Sequence, residues 1–277
     1  MDRYAVLGNP VAHSRSPVIH AAFARQTGQE LDYGRLECPL DGFADAVRAF
    51  AAHGACGCNI TVPFKFEALS LTTRATDRAA LAGAANTLRF DADGWLADNT
   101  DGVGLLRDIE HNAGFALAGQ RVLLVGAGGA AAGVLGPLLA ARPAAVVVAN
   151  RSLGKAQALV QRHAAWAARH GVALIAAPLD GAGQGFGLLL NASASSLQGA
   201  ASPVPADVVA AGALAVDLMY GAAAHPFMAW AAAAGAQPRD GLGMLVEQAA
   251  EAFFVWRGVR PDTAQLLQAL RTEVDAR

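Results

Sequence analysis

An apolar segment runs directly into a glycine-rich turn in Val122-Leu123-Leu124-Val125-Gly126-Ala127-Gly128-Gly129. The apolar residues before the turn indicate a buried strand, and the alanine-rich residues after it indicate a helix. Glycines at such a turn let the bare backbone approach a pyrophosphate, which binds at the N-terminus of the helix. The third glycine of the usual pattern is replaced by Ala131. Because a second apolar strand follows at residues 146–149, we predict a dinucleotide-binding unit.

Apolar strands alternate with helices on both sides of this turn. Before it, the pattern predicts strands at residues 4–7, 31–36 and 57–62 and helices at residues 16–26, 43–53 and 103–114. After it, the pattern predicts strands at residues 146–149, 174–176, 187–190 and 214–218, a helix at residues 153–169 and two helices beginning near residues 242 and 261. Such alternation is typical of α/β proteins with parallel sheets covered by helices. We therefore expect a two-domain α/β protein whose second domain is a doubly wound, Rossmann-type unit.

The composition excludes several classes of partner. The chain has 277 residues, enough for two modest domains, and 54% of them are hydrophobic. Its net charge is −2 and it contains no basic run, so we expect no nucleic-acid partner. Residues 122–141 are uncharged and long enough to span a bilayer, but they include five glycines and Pro137. They divide better into strand, turn and helix, so we expect no membrane partner either.

The cysteines and the first residues bear on location. An odd number of cysteines, Cys38, Cys56 and Cys58, fits a reducing compartment rather than a disulfide framework. His53 lies nearby, but a Cys-x-x-Cys spacing and a second ligand pair are missing, so we expect no metal site. The start of the chain has no charged-then-apolar signal pattern. We expect a cytoplasmic protein, as a monomer or a homodimer.

Two ionisable residues stand among apolar or small neighbours, each after a predicted strand. Lys65 ends Asn59-Ile60-Thr61-Val62-Pro63-Phe64-Lys65, and Asp101 lies in Asn99-Thr100-Asp101-Gly102. A lysine that loses hydration there can donate and accept a proton, and an aspartate can hold its ammonium group. Taken alone, each segment is better explained by a surface lysine or an unrelated turn aspartate. The dinucleotide turn favours the first interpretation, because proton transfer beside a dinucleotide is typical of a dehydrogenase.

The residues after the strand at 146–149 bear on the choice of cofactor. An NAD-binding domain often has an acidic residue here that binds the ribose, whereas this chain has Asn150-Arg151-Ser152 and then Lys155. Two cations and a hydroxyl suit a ribose 2′-phosphate, since a guanidinium binds phosphate oxygens in pairs. The alternative is a solvated helix start with Ser152 as the N-cap.

A loop after the first strand carries two hydroxyl groups, Ser14 and Ser16. At that spacing they can converge on an anionic group such as a carboxylate. The alternative is that Ser16 caps a helix whose first residue is Pro17.

Together these motifs resemble the shikimate dehydrogenase family along nearly the whole chain. The matching segments, in family order, are Gly8-Asn9-Pro10…His13-Ser14-x-Ser16-Pro17, Asn59 to Lys65, Gly83-Ala84-Ala85-Asn86-Thr87, Asn99 to Gly102, Gly126-Ala127-Gly128-Gly129-Ala130, Asn150-Arg151-Ser152 and Gly241-Leu242-Gly243-Met244-Leu245-Val246-x-Gln248. The resemblance implies reversible NADPH-linked reduction of 3-dehydroshikimate to shikimate, in chorismate and aromatic amino acid biosynthesis. It also implies a substrate-binding domain at residues 1–102, an NADP-binding domain at 103–237 and C-terminal helices at 238–277 that return to the first domain.

The resemblance also implies a role for each matching residue. Lys65 and Asp101 would form the catalytic pair. Substrate would be bound by Ser14, Ser16 and Tyr220 at its carboxylate and by Thr61, Asn86 and Gln248 at its hydroxyls. NADP(H) would be bound by Gly126, Ala127, Gly128, Gly129, Ala130, Asn150, Arg151, Ser152 and Lys155, with Met219 and Gly241 against the nicotinamide.

Two other functions are compatible with these motifs. One is a quinate/shikimate or aminoshikimate dehydrogenase with the same catalytic pair, and the other is a non-catalytic NADP-binding sensor. Two segments depart from the family pattern near the cofactor: Ser196 replaces a common glycine, and Gly221-Ala222-Ala223-Ala224-His225 replaces a proline-containing segment.

Overall fold

Two six-stranded sheets organise the chain in the computed structural model, which describes residues 1–193, 195–196, 199 and 201–275. The first sheet and its helices are β1 (Asp2–Gly8), α1 (Ser16–Thr27), β2 (Leu31–Glu37), α2 (Phe43–Ala52), β3 (Ala55–Ile60), α3 (Lys65–Ser70), β4 (Arg74–Ala75), α4 (Asp77–Ala82), β5 (Thr87–Arg89) and β6 (Leu96–Asp98). The strand order is β2-β1-β3-β5-β6-β4.

The predicted strands β1, β2 and β3 of the first sheet are parallel, as expected, but the sheet also contains an antiparallel strand that was not predicted. Strand β5 runs antiparallel to both β3 and β6. A parallel connection needs a crossover of about a dozen residues or more, and the short 90–95 segment between β5 and β6 permits only a hairpin. Gly94 completes that hairpin with a φ of 125°. Each of these strands has only three residues, too few for sequence periodicity to reveal.

The second sheet is parallel throughout and confirms the predicted doubly wound unit. Its elements and those that flank it are α5 (Asp101–Arg107), a π-helical turn (Asp108–Asn112), β7 (Arg121–Val125), α6 (Gly129–Ala140), β8 (Ala145–Ala149), α7 (Leu153–His170), β9 (Ala173–Ala177), β10 (Phe186–Asn191), β11 (Val209–Asp217), α8 (His225–Ala233), β12 (Gln237–Arg239), α9 (Leu242–Arg257) and α10 (Ala264–Asp275). The strand order is β12-β11-β10-β7-β8-β9. The order reverses at β7, so the glycine-rich turn lies at the point where α/β sheets bind ligands.

The uncharged segment at residues 122–141 is divided as expected, into most of β7, the turn and α6. In the part of the chain that the structure describes, no helix has the length and apolar character that a membrane span requires.

The C-terminal helices pack back onto the first sheet's helices. Leu242, Val246 and Phe253 of α9 form one buried cluster with Ile19 and Phe23 of α1. Some predicted ends shift: β3 ends at Ile60 rather than at residue 62, and α10 begins at Ala264 rather than at residue 261. The carboxylate of Asp262 accepts the N–H of Ala264, so the acidic residue precedes the helix instead of lying in its first turn.

Candidate active site

The structure brings Lys65 and Asp101 into direct contact. The Lys65 Nζ atom donates to Asp101 Oδ2 at 2.6 Å, and the two side chains are only 13% and 5% exposed. Each residue follows a strand, β3 or β6, by a few residues and begins the next helix, α3 or α5 respectively.

Asn86 and Gln248 complete the surroundings of Asp101. The Asn86 amide donates to Asp101 Oδ1 at 2.9 Å and to Gln248 Oε1 at 3.2 Å. Its own oxygen accepts the Thr100 N–H at 2.8 Å, so the amide orientation is fixed. The two carboxylate oxygens of Asp101 are therefore held separately, one by Lys65 and the other by Asn86.

The hydroxyl loop between β1 and α1 brings Ser14 and Ser16 together. The Ser14 hydroxyl donates to Ser16 Oγ at 3.1 Å and accepts the Ser16 N–H at 3.3 Å. Arg15 occupies the N-cap of α1 and Ser16 is its first helical residue, so the alternative of Ser16 as a cap is wrong. The guanidinium of Arg35 donates twice to the Ser14 carbonyl. The loop is thus fixed beside a cation.

Tyr220 lies against this loop from the other unit. Burial raises the pKa of Tyr220, while a hydrogen bond from the Arg15 backbone and the charges of Arg15 and Arg35 oppose that effect. Thr61, which follows β3, is adjacent to the end of β1, since its N–H donates to the Leu7 carbonyl at 2.9 Å. Four predicted substrate residues, Ser14, Ser16, Thr61 and Tyr220, therefore lie around the end of β1.

The glycine-rich turn leaves a helix end open. Gly126 has a φ of 113°, and a Cβ atom there would lie 2.9 Å from the Ala192 carbonyl oxygen. Gly128 is the N-cap of α6 and provides no capping side chain, and a Cβ added to it would meet nothing within 4 Å. The first amides of α6, from Gly129 and Ala130, can therefore receive a pyrophosphate. The bare helix end and the space above it fit a dinucleotide.

The same turn borders the ion pair. A Cβ atom added to Gly129 would lie 3.0 Å from the Cβ atom of Lys65. The predicted proton donor and the predicted pyrophosphate site are thus on either side of one glycine.

The predicted 2′-phosphate residues follow β8 at the start of α7. Arg151, Ser152 and Lys155 are exposed. Ser152 does occupy the N-cap of α7, but its hydroxyl makes no capping hydrogen bond. The Asn150 amide instead donates to the Ser152 carbonyl at 2.9 Å. Lys155 lines a cavity of about 300 Å³ with Ala127 and Gly128 of the glycine-rich turn.

Met219 and Gly241 lie together beyond the end of β11. The Gly241 N–H donates to the Met219 carbonyl at 2.8 Å, and a Cβ atom on Gly241 would lie 2.5 Å from the Leu218 carbonyl oxygen. The two segments that differ from the family pattern, Ser196 and residues 221–225, lie next to this region. The Ser196 hydroxyl donates to the buried carboxylate of Asp217, which accepts the Met219 N–H at 2.9 Å. Residues 221–224 form a 3₁₀ turn that leads into α8.

Sequence reasoning assigned no role to the buried polar residues Asn59 and Thr87, nor to Asp217. Asn59 lies in the apolar strand β3 and Thr87 begins the short strand β5, and both link to Asn86. For Asn59, and for Asp217 at the end of β11, a polar side chain in an apolar strand is the signal that could have identified them, because burial requires it to find partners.

Comparison with known proteins identifies the family. Family models match as the shikimate dehydrogenase substrate binding domain at residues 6–88, as shikimate/quinate 5-dehydrogenase at 109–173 and as the shikimate 5′-dehydrogenase C-terminal domain at 241–271. A protein of Methylibium petroleiphilum named shikimate dehydrogenase (NADP(+)) is 63% identical over 280 residues, covering 99% of this chain and 95% of its own. The chain belongs to the shikimate dehydrogenase family. The resemblance drawn from the motifs is confirmed.

Solved structures of the same fold agree. The Ael1 enzyme from Pseudomonas putida has a TM-score of 0.86 and 46% identity, with 98% of both chains covered. Shikimate 5-dehydrogenase from Thermus thermophilus, in complex with NADP(H) and shikimate, has a TM-score of 0.83 and 32% identity. That comparison covers 98% of this chain and 99% of the other.

Proposed function

We propose that this chain catalyses the reversible NADPH-linked reduction of 3-dehydroshikimate to shikimate. The observation that carries the proposal is the ion pair of Lys65 and Asp101. The Lys65 Nζ atom lies 2.6 Å from Asp101 Oδ2, and the glycine-rich turn lies next to the pair. A buried proton donor beside a dinucleotide site is what reduction of a ketone requires. The 63% identical relative, whose name states the same activity, supports it.

The mechanism assigns each group a task. Ser14, Ser16 and Tyr220 bind the substrate carboxylate, beside the Arg35 guanidinium. Thr61, Asn86 and Gln248 bind the ring hydroxyls and fix the substrate's orientation over Lys65.

Lys65 and Asp101 carry out the proton transfer. When bound, the nicotinamide supplies or takes the hydride at the ring carbon that bears the reacting oxygen. Lys65 gives its proton to that oxygen as negative charge develops, and takes it back in the reverse direction. Asp101 holds the ammonium group in place and shares the reacting hydroxyl with it.

Three parts of the chain would hold the pyrophosphate, the nicotinamide and the ribose 2′-phosphate of the cofactor. The turn from Gly126 to Ala130 would hold the pyrophosphate, with the free amides of Gly129 and Ala130 as donors, and Met219 and Gly241 would lie against the nicotinamide. Asn150, Arg151, Ser152 and Lys155 would bind the ribose 2′-phosphate, since they supply cations where an NAD-binding domain often has a carboxylate.

The predicted domain limits and location belong to the same proposal. Residues 1–102 and 238–277 form the substrate-binding unit and residues 103–237 the NADP-binding unit. The two separate sheets and the packing of α9 on α1 support this division. A cytoplasmic location is supported by three free cysteines; burial raises the pKa of the Cys38 thiol to about 11, which keeps it unreactive.

One absorbance assay tests the proposal. Purified protein with shikimate and NADP⁺ should produce NADPH, and 3-dehydroshikimate with NADPH should consume it. Because one matched family model names quinate as well, quinate should be assayed in parallel with both cofactors. Turnover of quinate at an efficiency equal to that of shikimate would replace the proposed substrate. If the protein bound NADP⁺ tightly but turned over neither shikimate nor quinate, the alternative function of a cofactor-binding sensor would be favoured.

A further inference from the structure

A continuous set of buried polar groups leads away from Asp101 into the first sheet. The Tyr33 hydroxyl donates to Asn59 Oδ1 at 2.7 Å. The Asn59 amide then donates to the Asn86 carbonyl at 3.1 Å and to Thr87 Oγ1 at 3.0 Å. The Thr87 hydroxyl donates to Asn86 Oδ1 at 3.0 Å, and the Asn86 amide reaches Asp101. The Asn86 side-chain oxygen accepts from the Thr87 hydroxyl and from the Thr100 N–H, so its amide nitrogen must face Asp101 and the set specifies one orientation of Asn86.

The other end of the set reaches the hydroxyl loop. Ser16 and His20 lie one turn apart on α1, and the His20 ring stacks on the Tyr33 ring, so Tyr33 packs against the start of α1 on one side and bonds to Asn59 on the other. Burial raises the pKa of Tyr33 well above its ordinary value, and the Ser16 side chain acts against that effect. Tyr33 comes from β2 and Asn59 from β3, which flank β1 in the sheet.

The Tyr33 ring is held rigidly. It is 8% exposed and stacks on His20, with ring centroids 4.2 Å apart and planes within 10°. Burial lowers the pKa of His20 to about 3, so that ring stays neutral. A rigid ring of this kind defines the position of its hydroxyl to within the accuracy that a substrate site needs.

We infer that Tyr33 is a positioning residue that sets Ser16, at the carboxylate end of the substrate site, relative to Asn86 and Asp101 at the reacting end. The inference rests on the proposed function and deepens it. Tyr33 itself touches neither substrate nor cofactor; it acts through Ser16 on substrate affinity and through Asn59 and Asn86 on turnover. The cofactor groups lie outside this set of hydrogen bonds, so NADP⁺ binding should not depend on it.

The chain offers a matched control in Tyr4. Tyr4 pairs with Tyr33 across β1 and β2, is 4% exposed and stacks on Trp256, which also lies near Tyr33 and His20. Arg257, rather than Asn59, is the side chain that opposes the rise which burial causes in the pKa of Tyr4. Tyr33→Phe and Tyr4→Phe therefore remove the same atom from the same aromatic cluster, and only the first breaks the link to Asn86.

The test compares steady-state kinetics and thermal unfolding of the two variants. Tyr33→Phe should lower kcat/KM for shikimate about tenfold relative to Tyr4→Phe, with a raised KM for shikimate and a lowered kcat. The KM for NADP⁺ should stay within about twofold, and the Tm values of the two variants should be close. Thr87→Val, which removes the next hydroxyl of the set, should lower kcat and also spare the KM for NADP⁺.

Two results would overturn the inference. One is that the kcat/KM values of Tyr33→Phe and Tyr4→Phe for shikimate differ by less than about twofold. The other is a parallel loss of Tm, shikimate affinity and NADP⁺ affinity, which would make the role of Tyr33 structural. Failure of the proposed function is distinguished by the unmodified chain and Tyr4→Phe, which would then fail to oxidise shikimate.

Discussion

At the scale of single residues, the choice of a lysine as proton donor is narrow, because the chain contains few lysines. Lys65 and Lys155 are its two lysines, and they lie on opposite sides of the glycine-rich turn. Lys65 is 13% exposed and ion-paired, whereas Lys155 is exposed on α7. Each can be removed separately, so the proposed proton transfer and the proposed phosphate binding can be measured apart.

Lys65→Ala should remove the proton donor while leaving the substrate-binding hydroxyls in place. We expect kcat to fall by about a hundredfold or more, with little change in the KM for shikimate. Lys155→Ala should show the reverse, a raised KM for NADP⁺ and a nearly unchanged kcat. Initial rates with both substrates varied measure all of these constants. Near-normal kcat in Lys65→Ala would contradict its role, and a loss confined to KM would make Lys65 a binding residue.

His20 predicts how stability depends on pH. Its ring is fully buried, and burial lowers its pKa from 6.5 to about 3 in the folded protein. The unfolded chain therefore binds a proton that the folded chain does not bind between these two values. Stability is lost as pH falls through this window, by about 2 kcal/mol between about pH 7 and pH 5 from this group alone.

His20→Phe should flatten this part of the profile. Urea unfolding at a series of pH values measures the slope for the variant and the unmodified chain. His163, whose pKa burial also lowers, remains in both proteins and leaves a shared residual slope. Equal slopes in the two proteins would show that His20 does not carry the effect.

Among the elements, the start of α7 is the one that we propose to determine the choice of cofactor. Arg151 follows β8 in the position where an NAD-binding domain often has its ribose-binding acid, and it is exposed. A charge-assisted arginine–phosphate contact at such a site is worth about 1.5 kcal/mol or more, roughly tenfold in affinity. Arg151→Ala should therefore raise the KM for NADP⁺ about tenfold and change that for NAD⁺ little.

The control for this prediction lies further along the same helix. Arg169 stacks on Trp166 near the end of α7, away from the glycine-rich turn. Arg169→Ala should leave both KM values unchanged, and added salt should reduce the NADP⁺ preference of the unmodified chain. Equal efficiency of the unmodified chain with NADP⁺ and NAD⁺ would show Arg151 to be only a solvated residue at a helix start.

The elements also show why some features were predictable and others were not. β7, the turn and α6 were predicted because apolar runs and glycines are local signals. β4, β5 and β6 have two or three residues each, so no periodicity marks them, and the antiparallel β5 depends on a hairpin between them. The alternative role of Ser16 was a helix cap, but it lies one residue after the cap of α1; the exact ends of helices are the part of a fold that sequence patterns predict least well.

Contacts between distant parts of the chain lay beyond sequence reasoning altogether. Asn59 and Asn86 are each visible as polar residues, but only the sheet brings them within hydrogen-bond distance. The same holds for Ser196, where a departure from the family pattern supplies a hydroxyl to the buried Asp217. Each partner is determined by packing that no local pattern specifies.

Across the whole molecule, ion pairs fasten the C-terminal segment to the rest of the chain. Arg78 of α4 bonds to Asp98 and to Glu251 of α9. Glu247 of α9 accepts from Arg107 of α5. Within the C-terminal segment, Thr263 donates to Glu247 and Arg271 of α10 bonds to Asp240 before α9. Since Gln248 and Gly241 lie on or beside α9, these pairs also hold proposed substrate and cofactor residues.

The Arg239–Asp108 pair is the most deeply buried of these links. Asp108 is 0% exposed, and Arg239 at the end of β12 donates to both of its oxygens, at 2.7 and 2.5 Å. A Cβ atom on Gly243 of α9 would clash with the same carboxylate, so α9 also closes over it. Asp108 therefore joins the end of α5, β12 and α9 at one point.

Arg239→Ala should destabilise the protein severely, because it leaves a buried carboxylate whose remaining side-chain donor is Asn112. Breaking such a pair costs about 3–5 kcal/mol, and the partial exposure of Arg239 favours the lower end. Arg48→Ala, which breaks the exposed Arg48–Asp45 pair, should cost less than about 1 kcal/mol. Urea midpoints at an unchanged m-value compare the two. Adding Asp108→Asn to Arg239→Ala should recover part of the loss, since it removes the unpaired charge. If Arg239→Ala lost as little unfolding free energy as Arg48→Ala, water would be replacing the guanidinium. The Arg239–Asp108 pair would then not be what holds these three elements together.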